Sequence, residues 1–116
     1  DALPIFEILK KFKFDVSNEY EVQKAIEAVL NQNGIVYKRE FTLDRLNRVD
    51  FLIGNGMAIE VKIDGWSPMR IYKQLERYAK FDAVKEILLV SGQAIHMPEK
   101  IEGKSVKVLK LGSAWL

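Results

Sequence analysis

Gly54-Asn55-Gly56 stands between two runs rich in branched apolar residues, 49–53 and 57–63. Such a triplet closes a β-hairpin, because glycine and asparagine accept the positive φ that tight turns require. Loop length then fixes the register, and a slip of one residue turns every side chain to the other face of the sheet. A two-residue loop at Asn55-Gly56 places Asp50 opposite Val61; a three-residue loop places Asp50 opposite Glu60. Gly56 suits the left-handed position of a bulged three-residue turn, so the second register is expected. Ile59, Val61 and Ile63 then share one face, Glu60 and Lys62 the other. Two carboxylates and one ammonium converge on one patch.

The rest of the chain is arranged around this hairpin. Residues 4–12 predict a short helix with Pro4 in its first turn and Ile5, Phe6, Ile8, Leu9 and Phe12 as its apolar side. Ser17 or Asn18 caps a second helix that runs to about Asn33. There Val22, Ala25, Ile26, Val29 and Leu30 follow helical spacing, and Gly34 takes the left-handed stop. Ile35, Tyr37, Phe41 and Leu43 alternate with polar residues as a strand should. Ser67-Pro68 opens a third helix over about 68–82. Residues 86–91 read as a buried strand and 106–111 as a more exposed one. The order α-α-β-β-β-α-β-β predicts a central mixed sheet with helices on both faces.

Composition narrows the chemistry. With no cysteine, thiolate zinc sites, disulfides and a cysteine nucleophile are excluded; the single histidine, His96, excludes a multi-histidine metal cage. No apolar run approaches the ~20 residues of a membrane span, so an intracellular, cytoplasmic domain is expected. The 116 residues carry 18 basic and 16 acidic side chains, a formal charge of +2, which permits a nucleic-acid partner without requiring one. The first residue is Asp1 rather than Met, which suggests a domain cut from a longer protein.

The remaining candidate is the acidic patch. Acids are poor residues for a strand interior. Two carboxylates ~5 Å apart call for a hard divalent cation, and Mg²⁺ suits oxygen ligands while keeping several waters, one of them available as a nucleophile. Lys62 would orient that water or stabilise charge on a phosphoryl oxygen. On the second helix, Glu19 leans about 50° from the centre of the apolar stripe, so it is a third acid directed toward the core; Glu21, three residues after Asn18, fits a capping box instead. On the third helix Arg70, Lys73, Gln74, Arg77 and Lys80 lie along one side. Gln74 and Tyr78, one turn apart, border the basic and apolar faces. Lys38, Arg39, Arg45 and Arg48 add positive charge leading into Asp50. An acidic pocket inside a basic rim suits a metal-dependent enzyme acting on a polyanion, with phosphate contacts made by the rim. Trp66 would stack on a base at the mouth of the site or cover the hairpin's apolar edge. Trp115 reads as packing or a partner contact.

On these residues the chain resembles the PD-(D/E)XK nuclease superfamily, with its restriction-endonuclease-like fold. Asp50, nine intervening residues and then Glu60-Val61-Lys62 is similar to that family's hairpin motif, with Val49 where its proline is usual. Glu19 resembles the extra glutamate of the Holliday-junction resolvases, and Gln74 with Tyr78 is similar to the QxxxY motif of the RecB-like and Cas-associated exonuclease branches. The resemblance covers residues 18–92 and implies an α/β domain with an αβββαβ core; an N-terminal helical extension over 1–17 and an extra strand and tail over 93–116 are expected outside it. It also implies Mg²⁺ or Mn²⁺ held by Asp50, Glu60 and the Val61 carbonyl with help from Glu19, and Lys62 positioning water. DNA would be bound by Arg48, Arg70, Lys73, Gln74, Arg77 and Tyr78. The activity implied is Mg²⁺-dependent hydrolysis of DNA phosphodiesters, by a homodimer on branched DNA if the resolvase likeness holds and at DNA ends if the QxxxY likeness does. The competing expectation is a non-catalytic DNA-binding domain of a larger protein.

Overall fold

The computed structural model describes residues 2–12, 14 and 18–112. Its elements are α1 (Ala2–Lys10), α2 (Glu19–Gln32), β1 (Tyr37–Asp44), β2 (Asn47–Ile53), β3 (Met57–Lys62), α3 (Pro68–Ala79), β4 (Glu86–Ser91), β5 (Lys100–Ile101) and β6 (Lys104–Lys110). The strands form one six-stranded mixed sheet in the order β1-β2-β3-β4-β6-β5. The hairpins β1–β2 and β2–β3 are antiparallel, while β3–β4 and β4–β6 are parallel. The two-residue β5 was not expected from the sequence; it pairs only with β6, at the sheet edge. No helix among the described residues is long and apolar enough to cross a membrane.

Local chemistry accounts for the boundaries. The Asn18 side chain accepts the Glu21 N–H at 2.8 Å, which caps α2. At the other end Gly34 adopts φ +65 and the Ile35 N–H returns to the Leu30 carbonyl, closing the last turn. Ser67 caps α3 and Pro68 takes its first position. The first helix stops at Lys10, two residues before the expected end, and Phe12 lies beyond it, 41% exposed rather than packed.

Two apolar layers cover the sheet. On one face α1 and α2 pack Ile5, Leu9, Val22, Ile26 and Leu30 against Phe51, Ile59, Val61 and Val90. On the other, α3 packs Ile71, Leu75, Tyr78 and Ala79 against Val49, Ala58, Ile87 and Leu89. Helices on both faces of a mixed sheet are as expected.

The alternation along β1 is not. Tyr37 joins the α2 layer, but Phe41 and Leu43 join the α3 layer, so the strand changes faces between them. Glu40 sits at the change with φ 48, a left-handed conformation that a glutamate adopts at some cost in strain. β2 does the same at the facing position: Phe51 packs toward α2 and Val49 toward α3, with Asp50 between them. The two strands therefore lose regular pleating together at Glu40 and Asp50.

Candidate functional site

The β2–β3 turn takes the three-residue form. The Gly56 N–H bonds to the Ile53 carbonyl, Gly56 has φ +96, and the Asn55 side chain accepts the Met57 N–H. The pairs Phe51–Ile59 and Leu52–Ala58 carry the register in which Asp50 faces Glu60. The ladder itself stops at Phe51–Ile59, because the two acids replace it. The Asp50 N–H donates to Glu60 Oε1 at 3.2 Å, and the Val61 N–H donates to Asp50 Oδ2 at 2.8 Å. Both backbone groups of a strand residue face the same neighbour. The Val61 carbonyl therefore faces β2, outside the β2–β3 ladder.

Glu60 and Lys62 lie on the α3 face at 3% and 5% exposure. Lys62 Nζ is 3.3 Å from Glu60 Oε2, a buried ion pair. Tyr78 projects from α3 into the same space. Its hydroxyl donates to the Arg48 carbonyl at 2.8 Å and lies 3.3 Å from Glu60 Oε2.

Charge balance explains the electrostatics. Asp50, Glu60 and Lys62 together leave one uncompensated negative charge in a buried place. Burial first, and then repulsion from Asp50, push the Glu60 carboxyl up to about 7. Burial likewise raises Asp50, against the opposing Val61 N–H and the Lys62 ammonium. Burial, reinforced by the nearby Glu60 carboxylate, makes Tyr78 a harder phenol to ionise, so it serves as a hydrogen-bond donor. A cation placed here would relieve both acids. The donors on offer, two carboxylates and a backbone carbonyl, are all hard oxygens of the kind that Mg²⁺ or Mn²⁺ accepts.

Glu19 takes a different position. Its Oε2 accepts the Ile63 N–H at 3.2 Å and the Trp66 indole N–H at 2.6 Å, so it is anchored at the end of β3. It is near enough to Asp50 to raise that carboxyl, yet among the described residues no three acidic, histidine or cysteine side chains form a ready-made metal cage. The face of the Trp66 ring is occupied by Lys62, whose Nζ lies 3.9 Å from the ring centroid. Trp66 is therefore part of the site's frame.

The basic rim lies on α3 and the β1–β2 hairpin. Arg70, Lys73 and Arg77 are exposed, and Gln74 is half-buried beside them. Arg77 Nε donates to Asn47 Oδ1 at 3.1 Å, which ties the helix to the hairpin tip. Arg48 is exposed and paired with Glu40 at 3.5 Å. His96 is an exposed loop residue, and Trp115 lies outside the described residues. Two contributors escaped the sequence reading: Asn47, which orients Arg77, and Gln93, which holds the Trp66 backbone. Neither carries a signal in its own neighbourhood of the chain, because each acts across 27 or more residues.

In comparisons with known proteins, no family model, no curated protein and no solved structure matches the chain significantly.

Proposed function

We propose that this chain is a Mg²⁺- or Mn²⁺-dependent deoxyribonuclease with a restriction-endonuclease-like core, cutting branched or otherwise structured DNA. One observation carries the reading. Asp50 and Glu60 meet across β2 and β3 where the ladder opens, with Lys62 beside Glu60 and the Val61 N–H on Asp50. The order α2-β1-β2-β3-α3-β4 agrees with the αβββαβ core of the PD-(D/E)XK nucleases.

Asp50, Glu60 and the Val61 carbonyl would hold the cation, which when bound supplies Lewis acidity toward the phosphate and its nucleophile. Glu60 keeps Lys62 directed into the site, and Lys62 donates hydrogen bonds to the attacking water and to the phosphoryl oxygen that gains charge. Tyr78 fixes Glu60 and the backbone at Arg48, so that α3 and β2 hold their spacing. Arg70, Lys73 and Arg77, with Gln74 and Arg48, place the DNA backbone by phosphate contacts that are blind to sequence.

The test is cleavage of supercoiled plasmid, four-way junctions and single strands, with Mg²⁺ and with chelator. Cleavage should require the metal and disappear in Glu60→Ala and Lys62→Ala. Activity indifferent to chelator, or unchanged from wild type in both variants, would remove the reading. A second reading, a DNA-binding module without hydrolysis, draws on Glu19, whose Oε2 is engaged by the Ile63 and Trp66 N–H groups. That reading expects salt-dependent DNA binding, unchanged in Asp50→Ala, and no cleavage under any metal.

A further inference from the structure

Lys62 is held by more than its ion pair. A lysine side chain has four rotatable bonds, so placing its ammonium takes contacts on several sides. Glu60 supplies one, at 3.3 Å, and the face of Trp66 supplies the second, at 3.9 Å from the ring centroid. The same indole donates its N–H to Glu19 at 2.6 Å. One ring thus connects the ammonium to the acid at the start of α2.

The ring is itself bracketed. Trp66 follows Gly65, which has φ +75, in the loop after β3. Its backbone is gripped from both ends of one side chain: the Trp66 N–H donates to Gln93 Oε1 at 3.1 Å, and Gln93 Nε2 donates to the Trp66 carbonyl at 3.4 Å. Gln93 is fixed in turn by Ser91, whose hydroxyl accepts the Gln93 N–H and donates to the Gln93 carbonyl. Between them Gly92 donates its N–H to the Lys62 carbonyl. Gly92 lies so close to β3 that a Cβ there would sit 2.3 Å from the Ile63 carbonyl oxygen. The turn after β4 is therefore docked on the end of β3, and its glutamine aims the tryptophan.

We propose that Trp66, aimed by Gln93, is a positioning residue that holds the Lys62 ammonium and the Glu19 carboxylate at the edge of the metal-dependent nuclease site, an assignment that rests on that reading. The ring carries the ammonium on its face, which together with Glu60 fixes the place of the Lys62 Nζ. Among the described residues the Gln93 side chain bonds to the Trp66 backbone and to none of the acids.

The experiment combines steady-state cleavage in Mg²⁺ with the NMR signal of the Lys62 ε-methylene, which a ring face at this distance shifts upfield. Trp66→Leu is expected to lower kcat about 10- to 100-fold, the scale of a misplacement near 1 Å, with KM for DNA unchanged and the upfield shift lost. Trp66→Phe keeps a ring face and should restore part of both. Gln93→Ala leaves the ring in the protein but frees it, so kcat and the shift should fall together. A defect confined to KM would make Trp66 a DNA contact and overturn the proposal, as would full kcat in Gln93→Ala with the shift gone. Wild-type protein with the shifted resonance but no cleavage would refute the nuclease reading, and the assignment with it. A cleaving wild type whose leucine variant is unimpaired would refute the assignment alone.

Discussion

Replacing Glu60 with glutamine keeps the shape of a 3%-exposed side chain and removes its titration. Burial and the facing Asp50 move the Glu60 carboxyl from 4.5 to about 7. Each tenfold change in proton affinity is worth about 1.4 kcal/mol, so ionising Glu60 in the folded protein costs about 3 kcal/mol more than in the unfolded chain. The folded value lies above the unfolded one, which sets the sign. The stability tied to this carboxyl is fully present below about 4.5 and is lost as pH rises through about 7. Urea unfolding of wild type and Glu60→Gln from pH 4 to pH 9, without divalent metal, reads the effect directly. The variant should gain on the wild type by about 3 kcal/mol across this window, a difference of roughly 10 °C in Tm for a chain of this size. The gain is read from the slope with pH, because any pH-independent cost of the substitution displaces the whole curve of the variant. Parallel curves would refute the reasoning: Glu60 would then titrate as an ordinary surface acid.

Three further outcomes follow from the same contacts. Tyr78→Phe removes the donor to the Arg48 carbonyl and should cost about 1–2 kcal/mol in urea unfolding, with the fold kept; no change would mean that this bond contributes nothing. Gly56→Ala puts a Cβ 2.3 Å from Lys85 Cγ on a backbone at φ +96, and should destabilise by about 1–3 kcal/mol. Gly34→Ala, with nothing within 4 Å, should cost less than that, and equal losses would argue against the crowding. Reversing Arg70 and Lys73 to glutamate should weaken DNA binding for all sequences alike and flatten the log–log salt dependence by about 2, as measured by fluorescence anisotropy; an unchanged slope would place the DNA elsewhere.

How much of this was legible in the chain varies by the range of the interaction. The glycine triplet fixed the register that faces Asp50 to Glu60, because a tight turn leaves few alternatives and the side-chain period is two. Asn18, Gly34 and Ser67-Pro68 marked their helix ends for equally local reasons. The change of faces at Glu40 and Asp50 was not legible. Nothing in the propensity of a glutamate announces a positive φ, and the alternating residues Tyr37, Phe41 and Leu43 looked like one face. Glu19 was rightly read as leaning inward, but its partners, Ile63 and Trp66, lie 44 and 47 residues away and helix geometry alone does not name them. The short β5 has too few residues to carry a pattern.

A crystal soaked in millimolar Mn²⁺ and measured for anomalous scattering tests the candidate metal centre most directly. The account predicts one peak beside Asp50 and Glu60, about 2.1 Å from a carboxylate oxygen of each and from the Val61 carbonyl. A crystal that takes up manganese elsewhere, and leaves Asp50 bonded to the Val61 amide with no peak beside it, would contradict it.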